Sequence, residues 1–334
     1  MAPIKSSLAR TVGKLLGISK NTDLSLRGNV QSNRYIETAF VATGGTKITS
    51  GSNVYHVFLS SQNFQVDSGT NNIELLVVGG GGATGGTYTG GGGGGGVAHG
   101  PSVSISAGTY AVTVGDGGTQ TPDNQGNASS PGGTSSIVLP AGTIRGLGGG
   151  SGVIDGFQTG PAQYLPGGSG GGNGDDDSPN SGDATQPGEP NFGIGISHYG
   201  NPGYGPPSGN APADDADGGG GGGAGQGGGA SHTDGREGGD GQPFSNFPAP
   251  VIEPALPAPI RPAWTPTVGP TGIFAGGGTG AQGPTARVPG GGGGGQTPGP
   301  GGDGVNFTGG GGGGVRAAVG GFGGKGIVII RYTT

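Results

Sequence analysis

The spacing of apolar residues changes from helical to extended early in this chain. Ile4, Leu8, Val12, Leu15 and Leu16 recur every three or four positions. With Pro3 suited to a first turn and Gly17 to a stop, that spacing predicts a short amphipathic helix over residues 3–17. From Val54 onward the apolar residues come in short runs bounded by Ser, Asn, Gly or Asp. Val54–Leu59, Asn63–Val66 and Ile73–Val78 read as strands joined by turns, with His56 a strand residue. Val103–Ile105 and Tyr110–Val114 read as a hairpin around a Gly-containing loop, and Ser136–Leu139 as a further strand.

The last run, Gly326–Tyr332, is apolar on both faces and follows a long stretch poor in apolar residues. A strand of that kind belongs inside a sheet or sandwich. Ile73–Val78 is the matching continuous run, so the two are expected to pair. Residues 146–324 then form one excursion that leaves and re-enters the same sheet. An excursion that long is either disordered or ordered by something of its own.

Composition narrows the choice. Of 334 residues, 92 are Gly and 27 are Pro, while 29% are hydrophobic and 10% charged, which excludes a helical bundle or a doubly wound enzyme fold. Cys is absent, which excludes disulfides, thiolate zinc sites and a thiol nucleophile. Pure Gly runs occur at 90–96, 170–172, 218–223, 290–295 and 309–314, without the every-third-residue Gly of collagen. A flexible linker has such a composition, but a linker needs no closing strand. The ordered alternative is a set of left-handed helices of three residues per turn packed side by side. Without a Cβ their backbones approach closely enough to hydrogen-bond to one another.

The fold expected on these grounds is all-β. A small β-sandwich nucleus is closed by the C-terminal strand, carries a large body of packed polyglycine or polyproline II-type helices, and is preceded by the N-terminal amphipathic helix. The expected divisions are a basic arm at 1–35, a strand domain with the first Gly block at 36–145, the Gly-rich body at 146–324 and the closing strand at 325–334.

Charge separates the arm from the rest. The first 34 residues carry six basic side chains against Asp23 alone, a net +5, which leaves −11 for the remainder of a chain whose total is −6. A basic arm suits docking on an acidic or polar surface, and a disordered arm has the same signature. The apolar stretch at the front is too short and too interrupted for a secretion signal, and no segment approaches the roughly 20 apolar residues of a membrane span.

Candidate chemistry is sparse. Gly-x-Gly-x-x-Gly matches are frequent by composition, and none is framed by a strand and a helix. His56, His99, His198 and His232 are scattered, with no Ser or carboxylate arrangement that marks a catalytic group. The acidic groups Asp175–Asp177 and Asp214, Asp215 and Asp217 read as solvated loops, and Gly301–Phe307 matches a calcium-roll repeat only once and imperfectly. No enzyme activity, cofactor or required metal is expected. Tyr164, Phe192, His198, Tyr199, Tyr204, Phe244, Phe247 and Trp264 lie in Gly, Pro and Asn contexts and are the candidates for exposed recognition, the alternative being that they pack over the Gly body. Pro248–Pro266 reads as an extended polyproline II spacer.

The succession Val57–Ser61, Phe64–Val66, Ile73–Gly81, Gly108–Gly118 and Gly323–Tyr332 resembles the glycine-rich domain of bacteriophage virion proteins, over about residues 40–334. Its polyglycine blocks are similar to those of tip adhesins of T4-like tail fibres. The front departs from a tip adhesin: the basic helix and the segment Asp23–Gln31 resemble leaders of phage structural proteins. The resemblance implies a virion protein, a tail fibre or appendage assembled in the host cytoplasm, homo-oligomeric, with no nucleic-acid or membrane-inserted partner. Its arm docks on other virion proteins through Ile4, Lys5, Leu8, Arg10, Val12, Lys14, Leu15, Leu16, Leu24, Leu26 and Arg27. Its loops then bind a host surface protein or glycan. A capsid decoration or head fibre is the alternative within phages, and a non-viral Gly-rich structural protein the alternative outside them.

Overall fold

The computed structural model describes residues 39–86, 89–120, 129–152, 166–174, 182–204, 218–229, 236–296, 299–316 and 318–334. The chain divides into two units, Met1–Ala39 and Phe40–Thr334. The predicted helix over 3–17 and the docking residues from Ile4 to Arg27 lie outside the described residues.

Among the described residues of the second unit nine strands form one antiparallel sheet. They are β1 (Val41–Thr43), β2 (Thr46–Ser50), β3 (Asn53–Phe58), β4 (Gln62–Val78), β5 (Val97–Thr113), β6 (Ser135–Leu139), β7 (Gly142–Gly146), β8 (Ser197–Tyr199) and, after a separate short pair β9 (Gln242–Pro243) and β10 (Ile273–Phe274), the C-terminal β11 (Ile327–Thr333). The spatial order is β2-β3-β11-β4-β5-β6-β7, with β1 on β4 and β8 on β5. The C-terminal strand is therefore internal. It pairs with β4 from Ile327 opposite Val78 to Arg331 opposite Glu74, as the matched apolar runs predict, and with β3 on its other side.

Two expected turns are absent. β4 runs unbroken through Asp67–Asn72, and β5 runs through Ser106–Thr109, where a hairpin was expected. The polar residues of β4 find partners there: Thr70, Asn71 and Asn72 lie opposite Ser106, Ile105 and Ser104. Shifts of register between Val66 and Thr70 and between Ile73 and Leu75 absorb the irregularity. They also mark where the strand folds over. A straight strand would carry Phe64 roughly 40 Å from Val77, yet the Phe64 ring is 6.2 Å from that of Phe58, only two strands across from Val77. One sheet thus encloses a core on itself, in place of two separate sandwich sheets.

Alternation along the strands separates two cores. Val54, Phe58, Phe64, Leu75, Val77, Val328, Ile330 and Tyr332 fill the first, with Ile137 and Ile144 from β6 and β7. Tyr55, Val57, Leu76, Val78, Ile327 and Ile329 point the other way, into a second core closed by residues 244–274. That covering segment is not the extended spacer expected. It contains the helical turn α1 (Ala249–Ile252), a 3-10 turn at Glu253–Ala255 and the helix α2 (Arg261–Val268). Pro250, Pro254 and Pro262 each fall in a first helical turn, where the missing N–H removes no bond. Ile252, Leu256, Trp264 and Val268 are buried by this folding. Their burial is the gain that an extended spacer would forgo.

The Gly-rich runs are buried and hydrogen-bonded to one another outside any strand. Gly91, Gly92 and Gly93 donate to the carbonyls of Gly219, Gly312 and Gly150, and Gly94, Gly95 and Gly96 donate to Gly222, Gly309 and Leu147 in the same three runs. The partner run repeats every third residue. The carbonyls of Gly91, Gly92 and Gly93 accept from Gly172, Gly278 and Gly82, members of three further runs. Run 89–96 is thus bonded to six neighbours. A Cβ on Gly92 would fall on the Gly82 carbonyl oxygen, and one on Gly91 on that of Gly278, so only Gly allows these approaches.

The first Gly block is therefore the centre of the body. Phe40–Thr334, which holds the first Gly block together with the later runs, is one compact unit. The runs have two distinct ends. Gly79 and Gly96 bond to each other beside the sheet, and Gly326 adjoins Val78 there. At the other end Thr89 bonds to Val315 and Ala281, Gly152 bonds to Ala83, and Gly218 adjoins Thr89.

Candidate functional site

The sheet face that holds the second core turns polar beyond Leu76 and Ile329. Tyr55, Arg331 and Glu74 stand in one row across β3, β11 and β4. His99 on β5 and Tyr199 on β8 share that face with Val97, from which each is separated by the two-residue alternation or by direct pairing. The segment Gln242–Phe247 lies over them.

Glu74, only 7% exposed, is the hub. Its Oε2 accepts from Arg331 Nη1 at 2.7 Å and from Asn246 Nδ2 at 2.9 Å. Its Oε1 accepts from His99 Nε2 at 3.0 Å and from Asn246 at 3.1 Å. Arg331 Nη2 donates onward to Asn53 Oδ1 at 2.9 Å, and the Tyr55 hydroxyl donates to the Asn246 carbonyl at 3.2 Å. Burial pushes the Glu74 carboxyl up, but the hydrogen bonds and positive charge of His99, with the bonds from Asn246 and Arg331, outweigh it and hold the carboxyl below its ordinary value.

Beside this cluster is a half-open hollow of about 200 Å³, lined by Glu74, His99, Tyr199, Gln242, Pro243, Phe244, Ser245 and Asn246. Its aromatic wall is built edge to face. The Tyr199 and Phe244 rings are 5.5 Å apart at 80°, and the His99 ring is 5.0 Å from Phe244. Among the described residues no group of three or more His, Asp or Glu gathers as a metal cage would require.

The structure sorts the aromatic candidates. Tyr199 and Phe244 come together at the hollow, with Phe247 beneath, its ring 6.4 Å from His99. Phe244, Phe247 and Trp264 are buried, which corrects the expectation that they are exposed: their apolar area closes the second core, and the Trp264 indole donates to the Phe307 carbonyl at 3.0 Å. His198 faces away from the hollow. It accepts from Gln186 Nε2 at 2.8 Å and donates to the Pro190 carbonyl at 3.3 Å, so it is neutral, and burial holds its pKa down. Phe192 is 38% exposed at a positive φ of 51°, over Gly142. Tyr204 is half-buried at the end of the body away from the sheet, bonded through its backbone to Gly220 and Asn173. Tyr164 lies outside the described residues.

Glu74, Asn246 and Arg331 were not singled out by sequence, and His99 only as an isolated ring. A signal existed: each of the two matched apolar runs carries one charge, of opposite sign, in positions that antiparallel pairing aligns.

A comparison with curated proteins finds no match. The family model of a glycine-rich domain matches residues 58–333, from the end of β3 to the end of β11 and across the whole bonded body. That span is most of the chain, and the chain belongs to the glycine-rich domain family.

Proposed function

We propose that this protein is a structural, non-enzymatic component of a bacteriophage virion, a tail fibre or appendage held by residues 1–35. On this reading it touches the host surface through the segments at the end of the glycine body away from the sheet. The Gly runs act as polyglycine II-type helices, an assignment supported by partners that repeat every third residue and by six bonded neighbours around run 89–96. A body bonded in this way stays rigid without a side-chain core, and rigidity lets its connecting segments vary in sequence.

The observation that carries the reading is the polarity of the second unit. Phe40, where the chain enters it, packs edge-on against Tyr332 at 4.8 Å, near the end of β11 remote from the Gly runs. The chain enters segments 153–165, 175–181, 205–217 and 282–287 from described run ends grouped around Thr84 and Thr89, at the opposite extreme. Tyr204 stands at that extreme too. A unit whose point of entry and described run ends lie at opposite extremes is the layout an adsorption fibre needs.

Antibodies raised against the full chain test this on the virions that carry it. Labelling of an appendage, with adsorption to host cells blocked, is the expected result. Label confined to the capsid shell, or none on virions, overturns it.

A further inference from the structure

We propose that the hollow beneath Gln242–Asn246 is a binding site for one neutral sugar ring. It does not rest on the fibre reading, which places the host contact at the other end of the glycine body.

Size sets the first limit. About 200 Å³ is below the roughly 300–1,000 Å³ of pockets for drug-sized ligands, so the hollow admits a single small ring and no extended peptide. Charge sets the second. Both Glu74 oxygens already carry two donors each, and Arg331 is committed to Glu74 and Asn53. No bare carboxylate remains for a cation, and the guanidinium that an anion would seek is already neutralised. A neutral ligand fits.

Hydrogen-bonding capacity sets the third. Tyr199, Gln242 and Ser245 line the hollow, and their side chains make no hydrogen bond among the described residues. His99 Nε2 donates to Glu74, while the phenol of Tyr199, the amide of Gln242 and the hydroxyl of Ser245 both donate and accept. Sugar hydroxyls likewise do both. The rings of Tyr199 and Phe244, packed edge to face on each other, give the wall apolar surface that the C–H side of a pyranose can meet. Glu74 works behind this surface: by holding His99 and Asn246 it fixes the wall before the ligand arrives.

Saturation-transfer NMR on the full chain tests the site, with D-glucose, D-galactose, D-mannose and N-acetyl-D-glucosamine as probes. Transfer to at least one of the four is expected. Gln242→Ala and Tyr199→Phe, which keeps the ring against Phe244, should each weaken that binding roughly fivefold, the effect of losing one hydrogen bond. Phe192→Ala should leave it unchanged. No transfer to any of the four sugars, or transfer that survives both substitutions at the hollow, overturns the proposal.

Discussion

Arg331 and Glu74 lie directly opposite each other on adjacent strands, and their side chains meet at 2.7 Å. Each is the charged residue in an otherwise apolar run, so the two runs cannot pair in any other register without leaving a charge buried against an apolar neighbour. A slip of one residue would also send Ile327 and Ile329 to the wrong core. The ion pair fixes where the C-terminal strand stops sliding between β3 and β4. Breaking it should cost more than removing it. Glu74→Gln is expected to destabilise the fold by about 3 kcal/mol in urea unfolding, because Arg331 is left half-paired. The double change Glu74→Leu with Arg331→Met should recover much of that loss, and a double variant as weak as the single one would contradict the register argument.

Acid should act in two stages. His56 is buried, donates from Nδ1 to the Gly44 carbonyl at 2.7 Å and accepts at Nε2 from the Tyr332 hydroxyl at 3.3 Å. Burial holds its pKa below the ordinary 6.5, as it does that of His198. A lowered folded pKa means that the unfolded chain binds protons first, so stability falls as pH drops below 6.5. Glu74 is held below 4.5, and its contribution, present above that value, is lost as pH falls further. The melting temperature should therefore decline from pH 7 to 5 and again below 4.5. His56→Gln with His198→Gln should flatten only the first decline.

The pairing of β11 with β4 was legible because both runs are mainly apolar, similar in length and flanked by Gly at one end. The extent of β4 and β5 was not, since Thr70–Asn72 on β4 is wholly polar and Ser106–Thr109 on β5 reads as a Gly-containing turn, so neither stretch carries an apolar strand signal. The covering helices were hidden by Pro250, Pro254 and Pro262, which are compatible with an extended chain and with a first helical turn alike. Composition could not separate a linker from a bonded body. The difference lies in long-range bonds such as Gly92 to Gly312, and the sequence signals them only by withholding every Cβ in the run. The polar cluster was half legible: its two charges stood in the matched runs, but Asn246 reaches Glu74 from a segment next to the one read as a spacer.

Two Gly→Ala changes separate a packed body from a flexible one. At Gly92 the added methyl would fall on the Gly82 carbonyl, a backbone atom that cannot rotate away. Gly92→Ala should cost ~3 kcal/mol or more, at the upper end of overpacking. At Gly188 nothing lies within 4 Å of the place a methyl would take, and its φ is not positive. Gly188→Ala should be neutral or stabilise by about 0.4–1 kcal/mol through the unfolded chain. Equal effects at the two sites, read from urea midpoints, would mean that run 89–96 is not packed.

Trp264 is the sole tryptophan of the chain, so its fluorescence reports on the covering segment alone. Its ring is fully buried, lies 6.2 Å from Phe274 and donates its indole N–H to the Phe307 carbonyl. Emission should be blue-shifted and resist acrylamide quenching until the second core unfolds. Trp264→Phe removes the hydrogen bond and leaves the Phe307 carbonyl without that donor, at a cost of about 1–3 kcal/mol. Trp264→Ala adds a cavity in the second core beside Phe274 and should cost about 3–5 kcal/mol. Red-shifted, freely quenched emission from the native chain would instead place Trp264 in solvent. The segment 248–266 would then be the open polyproline spacer that its composition suggests, and the hollow would lose the support that holds Phe244 and Asn246 over Glu74.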